Sequence, residues 1–254
     1  MRILVVGDSC KDVFVYGKVN RLTPEAPVPV FNPTVTKTND GMARNVSNNV
    51  EALGVNISTI TNPNSIRKVR YVDDKSNQLV LRVDEHDYCD RIENILLSTI
   101  QNNECHMSLN GRTSFDAVII SDYDKGFLHE DDIKWICKNN NNVFVDTKKK
   151  LGHWINDVDF LKINDLEYES NKDFFENNSI INKTIITRGR EGCLFKGDKY
   201  PTDDVPVKDI SGAGDTFLAG LTTEYIRSKD IVKAIKYAQD CTKIVVQKHG
   251  VSTV

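Results

Sequence analysis

Residues 209–221 read DISGAGDTFLAGL. An acid is followed by a glycine pair around alanine, then a second acid, then an apolar run. Glycines at a loop-to-helix junction let backbone N–H groups point at an anion, and the helix N-terminus adds a favourable dipole. Asp215 at that junction has two readings. It is a helix cap, which aspartate suits, or a general base beside an anion hole that takes a proton from a substrate hydroxyl. The stretch is not a Walker A loop, because G-x-x-x-x-G-K-[ST] is absent.

Working outward, short β-branched runs alternate with helical patterns. ILVVG (3–7), AVIIS (117–121), VFVDT (143–147), FLKIN (160–164) and TIITR (184–188) suit parallel strands buried on both faces. Helices are expected over Asn45 to Leu53, Arg91 to Gln101, Asp131 to Asn139, Asp165 to Phe175 and Gly214 to Arg227. This alternation predicts an α/β fold with a doubly wound, mostly parallel sheet flanked by helices. Ligands in such folds sit outside the carboxyl ends of the strands. Residues 13–38 and 66–84 break the pattern. Pro24, Pro27, Pro29 and Pro33 forbid a helix in the first. The second alternates apolar and polar residues around a turn at Asp73 to Ser76. Both read as strands of a small sheet forming a lid on one 1–254 domain. Its Val13, Val15, Val28, Val30, Leu79 and Leu81 are apolar enough to cover a site, pair with a second subunit, or both.

The bulk numbers exclude several classes. The 254 residues are 39% hydrophobic and 27% charged, with net charge −3 and no basic stretch, so nucleic acid is not an expected partner. The six cysteines are scattered singly without zinc spacing and read as free thiols. The opening MRILVVGD has too short an apolar run for a signal sequence. No run approaches the roughly 20 apolar residues of a membrane span. A cytoplasmic protein is expected.

The motifs together resemble the ribokinase-like, or PfkB, carbohydrate kinases. Asp209-Ile210-Ser211-Gly212-Ala213-Gly214-Asp215 resembles the family's DTxGAGD signature. The resemblance implies Asp215 as catalytic base and the N–H groups of Gly212, Ala213 and Gly214 as the anion hole. Asp40-Gly41-Met42-Ala43-Arg44-Asn45 resembles G-G-x-A-x-N, with Gly41 and Asn45 matching and Asp40 adding bulk and charge where a sugar approaches. Asp8 and Asp12 resemble the acids of GDxxxD that hold sugar hydroxyls. Asn164 and Glu167 resemble N-x-x-E, whose acid organises Mg²⁺ through its waters. Thr187, Gly189 and Gly192 resemble the TxGxxG turn beside the nucleotide phosphates, and 243-KIVVQKHGVSTV-254 the segment closing over adenine. Lys148 and Lys248 complete the expected nucleotide contacts. ATP and Mg²⁺, with a monovalent cation, are the implied cofactors.

Within the family, 21-RLTPEAPVPVF-31, 77-NQLVLRVDEHD-87 and the Ser121-Asp122-Tyr123-x-Lys125-Gly126 string resemble the D-glycero-D-manno-heptose 7-phosphate kinases. A sugar phosphate is the implied substrate, with its anomeric hydroxyl as acceptor. Lys68, Arg70, Arg82 and Lys125 are the candidates for holding its phosphate, since residues on one face of a hairpin cluster. The expectation is a kinase without a nucleotidyltransferase domain, and a homodimer through the lid. A kinase for another sugar or sugar phosphate, such as a fructose phosphate, and a weakly catalytic nucleotide- or sugar-binding protein stay open.

Overall fold

The structure is a computed structural model and describes residues 1–63, 66–92 and 115–254. The expected Arg91 to Gln101 helix lies outside the described residues from position 93 on, as does Cys105.

Two sheets divide the chain. Among the described residues the main sheet has eight strands in the order β12-β11-β10-β9-β8-β7-β1-β4. These are β1 (Arg2–Gly7), β4 (Asn56–Thr61), β7 (Ala117–Asp122), β8 (Val143–Thr147), β9 (Phe160–Asn164), β10 (Thr184–Thr187), β11 (Cys193–Phe195) and β12 (Asp198–Tyr200). Pairing is parallel from β4 to β10 and antiparallel at β11 and β12. Alternate residues of the parallel strands feed two cores. Leu4, Val6, Val118, Ile120 and Val145 pack with Ile133 and Ile136 of α2 (Glu130–Asn139). Ile3, Val5, Ile119 and Phe144 pack with α1 (Ala43–Ala52), α5 (Ala213–Ser228) and α6 (Ile231–Val245). Burial on both faces is why these strands read as near-continuous β-branched runs.

The lid is a four-stranded sheet, β3-β2-β5-β6. It comprises β2 (Ser9–Leu22), β3 (Pro29–Met42), β5 (Ile66–Asp73) and β6 (Leu79–Glu85). It begins earlier than expected because β2 follows β1 with only Asp8 between them. Val13 is buried, so it belongs to the core rather than to an open face; Val28, Leu79 and Leu81 are exposed.

The expected 165–175 helix is two short ones, α3 (Asp165–Ser170) and α4 (Lys172–Glu176). Residues 243–245, read as part of a closing tail, are instead the last turn of α6. Asp230 starts that helix, its carboxylate accepting from the N–H groups of Val232 at 2.9 Å and Lys233 at 3.1 Å. No helix is long and apolar enough to cross a membrane among the described residues.

Candidate active site

The site lies at the carboxyl ends of β1, β7, β8 and β9, where the strand order reverses beside β1. Helix α5 starts there. Gly212 precedes it in the left-handed region at φ 80°, and Asp215 is its third residue. A Cβ at Gly212 would come within 2.6 Å of Asn45 Nδ2, and one at Gly214 within 2.9 Å of Lys162 Nζ. Gly212 is required by its backbone conformation and by the clamped Asn45 amide, whereas a Cβ at Gly214 would displace only the end of the Lys162 side chain.

Asp215 is buried and does not cap its own helix. Its Oδ2 accepts from Asn45 Nδ2 at 2.9 Å and its Oδ1 from the Tyr123 hydroxyl at 2.8 Å. Burial pushes its carboxyl up to about 6, against the two donors, which favour the ionised form. A buried carboxyl poised near neutrality at a helix N-terminus can take a proton from a hydroxyl.

At the end of β9, Asn164 and Glu167 form a reciprocal cap on α3. Asn164 Oδ1 accepts from the Glu167 N–H at 2.9 Å, and Glu167 Oε2 accepts from the Asn164 N–H at 2.8 Å. Glu167 Oε1 pairs with Lys148 Nζ at 2.5 Å. Lys148 also reaches Asp146 at 3.1 Å, and Asp146 pairs with buried Lys162 at 2.6 Å. Burial opposes charge on Lys148, yet Asp146 and Glu167 hold its ammonium pKa above the usual lysine value. The sequence reading missed Asp146 and Lys162, which stand inside the apolar runs VFVDT and FLKIN. A charged residue near the end of an otherwise apolar strand was the available signal.

Among the described residues no cluster of three His, Cys, Asp or Glu could hold a metal directly. The Glu167 carboxylate has only part of its acceptor capacity taken by Lys148 and Asn164, so it fits a magnesium ion held through water.

Thr187, Gly192, Ala213, Gly214, Thr242 and Val246 line a cavity of about 440 Å³ on the far side of the α5 N-terminus. Gly189 lines it too. Lys248 lies elsewhere, with its ammonium on the Thr253 carbonyl at 2.6 Å, because the chain turns back after α6. The tail packs on the glycine loop: the Gly250 N–H reaches Asp209 Oδ2 at 3.0 Å, and Val251 lies against Gly212.

Toward the lid the acids differ. Asp8 is fully buried and spent on the loop after β7. Its oxygens accept from the N–H groups of Tyr123 at 2.6 Å, Phe127 at 3.3 Å and Lys125 at 3.4 Å. These bonds make Asp8 an anchor of that loop. Asp12 pairs with Arg70, and Gly41 leaves room for its carboxylate: a Cβ there would lie 2.1 Å from Asp12 Oδ2. Asp40, in register with Lys11, pairs with it at 2.5 Å on the lid hairpin. Arg82 is held by Asp84 through two 2.7 Å bonds, and Lys125 by Asp87 at 2.5 Å. Burial lowers the Lys68 pKa, and the positive charges of Arg82 and Lys125 lower it further. Three of the expected cations therefore act on one another.

Residues 113–254 match the model of the pfkB family carbohydrate kinases. The chain belongs to that family. As a pfkB carbohydrate kinase it has relatives along its whole length. "Bifunctional protein HldE" of Helicobacter pylori strain J99 is 29% identical over 98% of this chain, and that of Psychromonas ingrahamii 30% over 100%. The chain spans 63% and 62% of those two proteins. Two solved structures share the ribokinase-like fold. Thermotoga maritima ribokinase superposes with TM-score 0.69 at 17% identity, covering 98% of this chain and 94% of that one. Escherichia coli phosphofructokinase-2 in complex with potassium gives 0.73 at 12%, with the same coverages.

Proposed function

We propose that this pfkB carbohydrate kinase phosphorylates the anomeric hydroxyl of a sugar phosphate, D-glycero-D-manno-heptose 7-phosphate, at the expense of ATP. The observation that carries the reading is the placement of buried Asp215 between two faces. One is the Thr187–Val246 cavity, which suits a nucleotide. The other is the lid group of Asp12, Lys68, Arg82 and Lys125. A carboxylate accepts sugar hydroxyls, and cations take a remote phosphate. The strings at 21–31, 77–87 and 121–126 and the HldE-named relatives support the heptose phosphate.

In this mechanism Asp215 takes the proton as the hydroxyl attacks the γ-phosphorus in line. The transition state is loose, so orientation counts for more than basicity. The N–H groups of Gly212 and Gly214 take up charge on the transferring group, reinforced by the Lys162 ammonium beside Gly214, while the expected third donor, the Ala213 N–H, is turned to the Ile210 carbonyl at 3.2 Å. Glu167 and Asn164 would hold hydrated Mg²⁺, which supplies charge neutralisation between the phosphates. The relation to a potassium-bound neighbour supports a monovalent cation as a further requirement. A second copy seated on exposed Leu79, Leu81 and Val83 of the lid would complete a homodimer.

The test is ADP release with Mg-ATP over a panel of sugars and sugar phosphates, with fructose phosphates and heptose 7-phosphate included. Heptose 7-phosphate is expected to give the highest kcat/KM, and Asp215→Asn to fold and lose nearly all turnover. A fructose phosphate preferred over the heptose would replace the substrate. ATP and sugar binding without ADP release would replace the activity.

A further inference from the structure

Tyr123 joins parts of the site that no motif connects. Its backbone is fixed at the end of β7, where its N–H donates to buried Asp8. Its side chain reaches back to Asp215, 92 residues away, and donates its hydroxyl hydrogen at 2.8 Å. Lys68 Nζ of the lid lies 5.2 Å from its ring centroid, and Lys148 Nζ of the nucleotide side lies 5.4 Å away. Both distances are in the range where a ring face attracts a cation.

We propose that Tyr123 is a positioning residue for phosphoryl transfer: its hydroxyl fixes one oxygen of the Asp215 carboxylate, and its ring holds the lid lysine Lys68 and the nucleotide-side lysine Lys148 against the side chain that positions the base. The inference rests on the reading of Asp215 as the base.

The geometry gives the hydroxyl a particular task. Asn45 holds Oδ2 and Tyr123 holds Oδ1, so the carboxylate is clamped at both oxygens. Each oxygen keeps a lone pair for a substrate hydroxyl. A buried phenol needs only some acceptor, and a backbone carbonyl would serve. Here it is directed at a buried acid, where donation favours the ionised, proton-accepting form. The other charged and titratable groups facing Asp215 are Asp146 on β8, Lys162 on β9 and Cys10 on β2. Asp146 opposes ionisation and Lys162 favours it. The Cys10 thiol, pushed up to about 12 first by burial, is neutral at working pH. Tyr123 itself titrates well above the ordinary phenol range, so it stays a donor. The ring adds a second link. Anything that draws Lys68 toward an acceptor's phosphate, or Lys148 toward the nucleotide, pulls on a side chain bonded to the base.

The experiment compares the full-length chain with Tyr123→Phe and with 3-fluorotyrosine placed at 123. The first variant keeps the ring and removes the hydroxyl; the second keeps the shape and strengthens the donor. Two readouts are taken: the pH profile of kcat/KM for the acceptor, and the titration of the Asp215 carboxyl carbon by NMR in ¹³C-aspartate-labelled protein. In Tyr123→Phe both midpoints are expected to move to higher pH, with kcat about tenfold lower and KM little changed. In the fluorotyrosine protein the midpoint is expected to move to lower pH. An Asp215 midpoint unchanged in both variants overturns the proposal, as does wild-type kcat in Tyr123→Phe. The two readings fail separately. A wild-type chain that turns over no acceptor sinks the kinase reading. An active wild type indifferent to the Tyr123 hydroxyl sinks only this one.

Discussion

Asn45 and Asp215, 170 residues apart in the chain, meet at 2.9 Å with Gly212 packed against the same amide. The Gly212 backbone lies at φ 80°, where an added Cβ is strained, and that Cβ would stand 2.6 Å from Asn45 Nδ2. Gly212→Ala must shift the glycine loop or push Asn45 off the base. The expected cost is about 1–2 kcal/mol of stability. Turnover should fall by roughly 10²-fold, because a displacement near 1 Å at a reacting group has that effect. Urea unfolding and steady-state rates measure both. Wild-type turnover in the alanine variant would show that the clamp is not needed.

Asp215 sets a pH dependence. Burial lifts its carboxyl to about 6, and the ionised form is the base. The kcat/KM for the acceptor should therefore rise with pH through about 6 and then level off. A profile that is flat from pH 5 to 8 would remove Asp215 from proton transfer.

Asp122 gives the corresponding stability effect. It is buried at the end of β7, with Lys149 Nζ at 3.2 Å and the Thr147 hydroxyl at 2.5 Å. Burial outweighs these partners and raises its carboxyl from 3.8 to about 6. The sign follows from the raised value. The contribution of Asp122 to stability is fully present below the unfolded value and is lost as pH rises through about 6. Relative to Asp122→Asn, the wild type should lose about 3 kcal/mol between pH 3.5 and 7, from a shift of roughly two pH units. Unfolding midpoints of the pair across that range check it, and a constant difference would contradict it.

The lid cations are tested by charge removal. Arg82→Gln and Lys125→Gln each free an acid partner, Asp84 or Asp87, and remove a cation facing Lys68. KM for a phosphorylated acceptor should rise about three- to tenfold with kcat and the KM for ATP unchanged. The effect should shrink in high salt, since both side chains are partly exposed. A matching rise for the unphosphorylated sugar would assign these residues to lid folding instead.

How far the sequence could be read follows from the range of each interaction. Strands β1, β7, β8, β9 and β10 and the lid were legible because β-branched runs and alternation are local, whereas β4, β11 and β12 were not among the expected strands. Helix α6 was legible too: Asp230 is a good cap and Ile231, Ala234, Ile235 and Ala238 keep the helical period. It was not among the expected helices, since its last turn, residues 243–245, coincides with the tail string. The task of Asp8 was not legible. An acid after a strand looks the same whether it meets a sugar or the N–H groups of a loop more than 100 residues on. The bond between Tyr123 and Asp215 has the same character, since only the fold brings the ends of β7 and α5 together. Asp12 and Arg70 were each read as ligand-binding, and their mutual pairing arises from the parallel register of β2 and β5.

Lys162 and Asp146 allow packing and chemistry to be separated. Their 2.6 Å ion pair is buried on both sides, and Lys148 gives Asp146 a second, longer contact. Lys162→Met leaves Asp146 charged and buried with the weaker partner, and should cost about 3 kcal/mol. Adding Asp146→Asn removes the uncompensated charge and should return most of that stability, since a neutral amide is far cheaper to bury. Turnover should not return with it, because the ammonium lies beside Gly214 of the glycine loop and its loss weakens the anion hole by roughly 10²-fold. Urea midpoints with an unchanged m-value and rates at saturating substrates distinguish the two effects. Recovery of both stability and turnover in the double variant would mean that Lys162 serves only to neutralise Asp146. Recovery of neither would mean that the loss does not come from the charge left on Asp146.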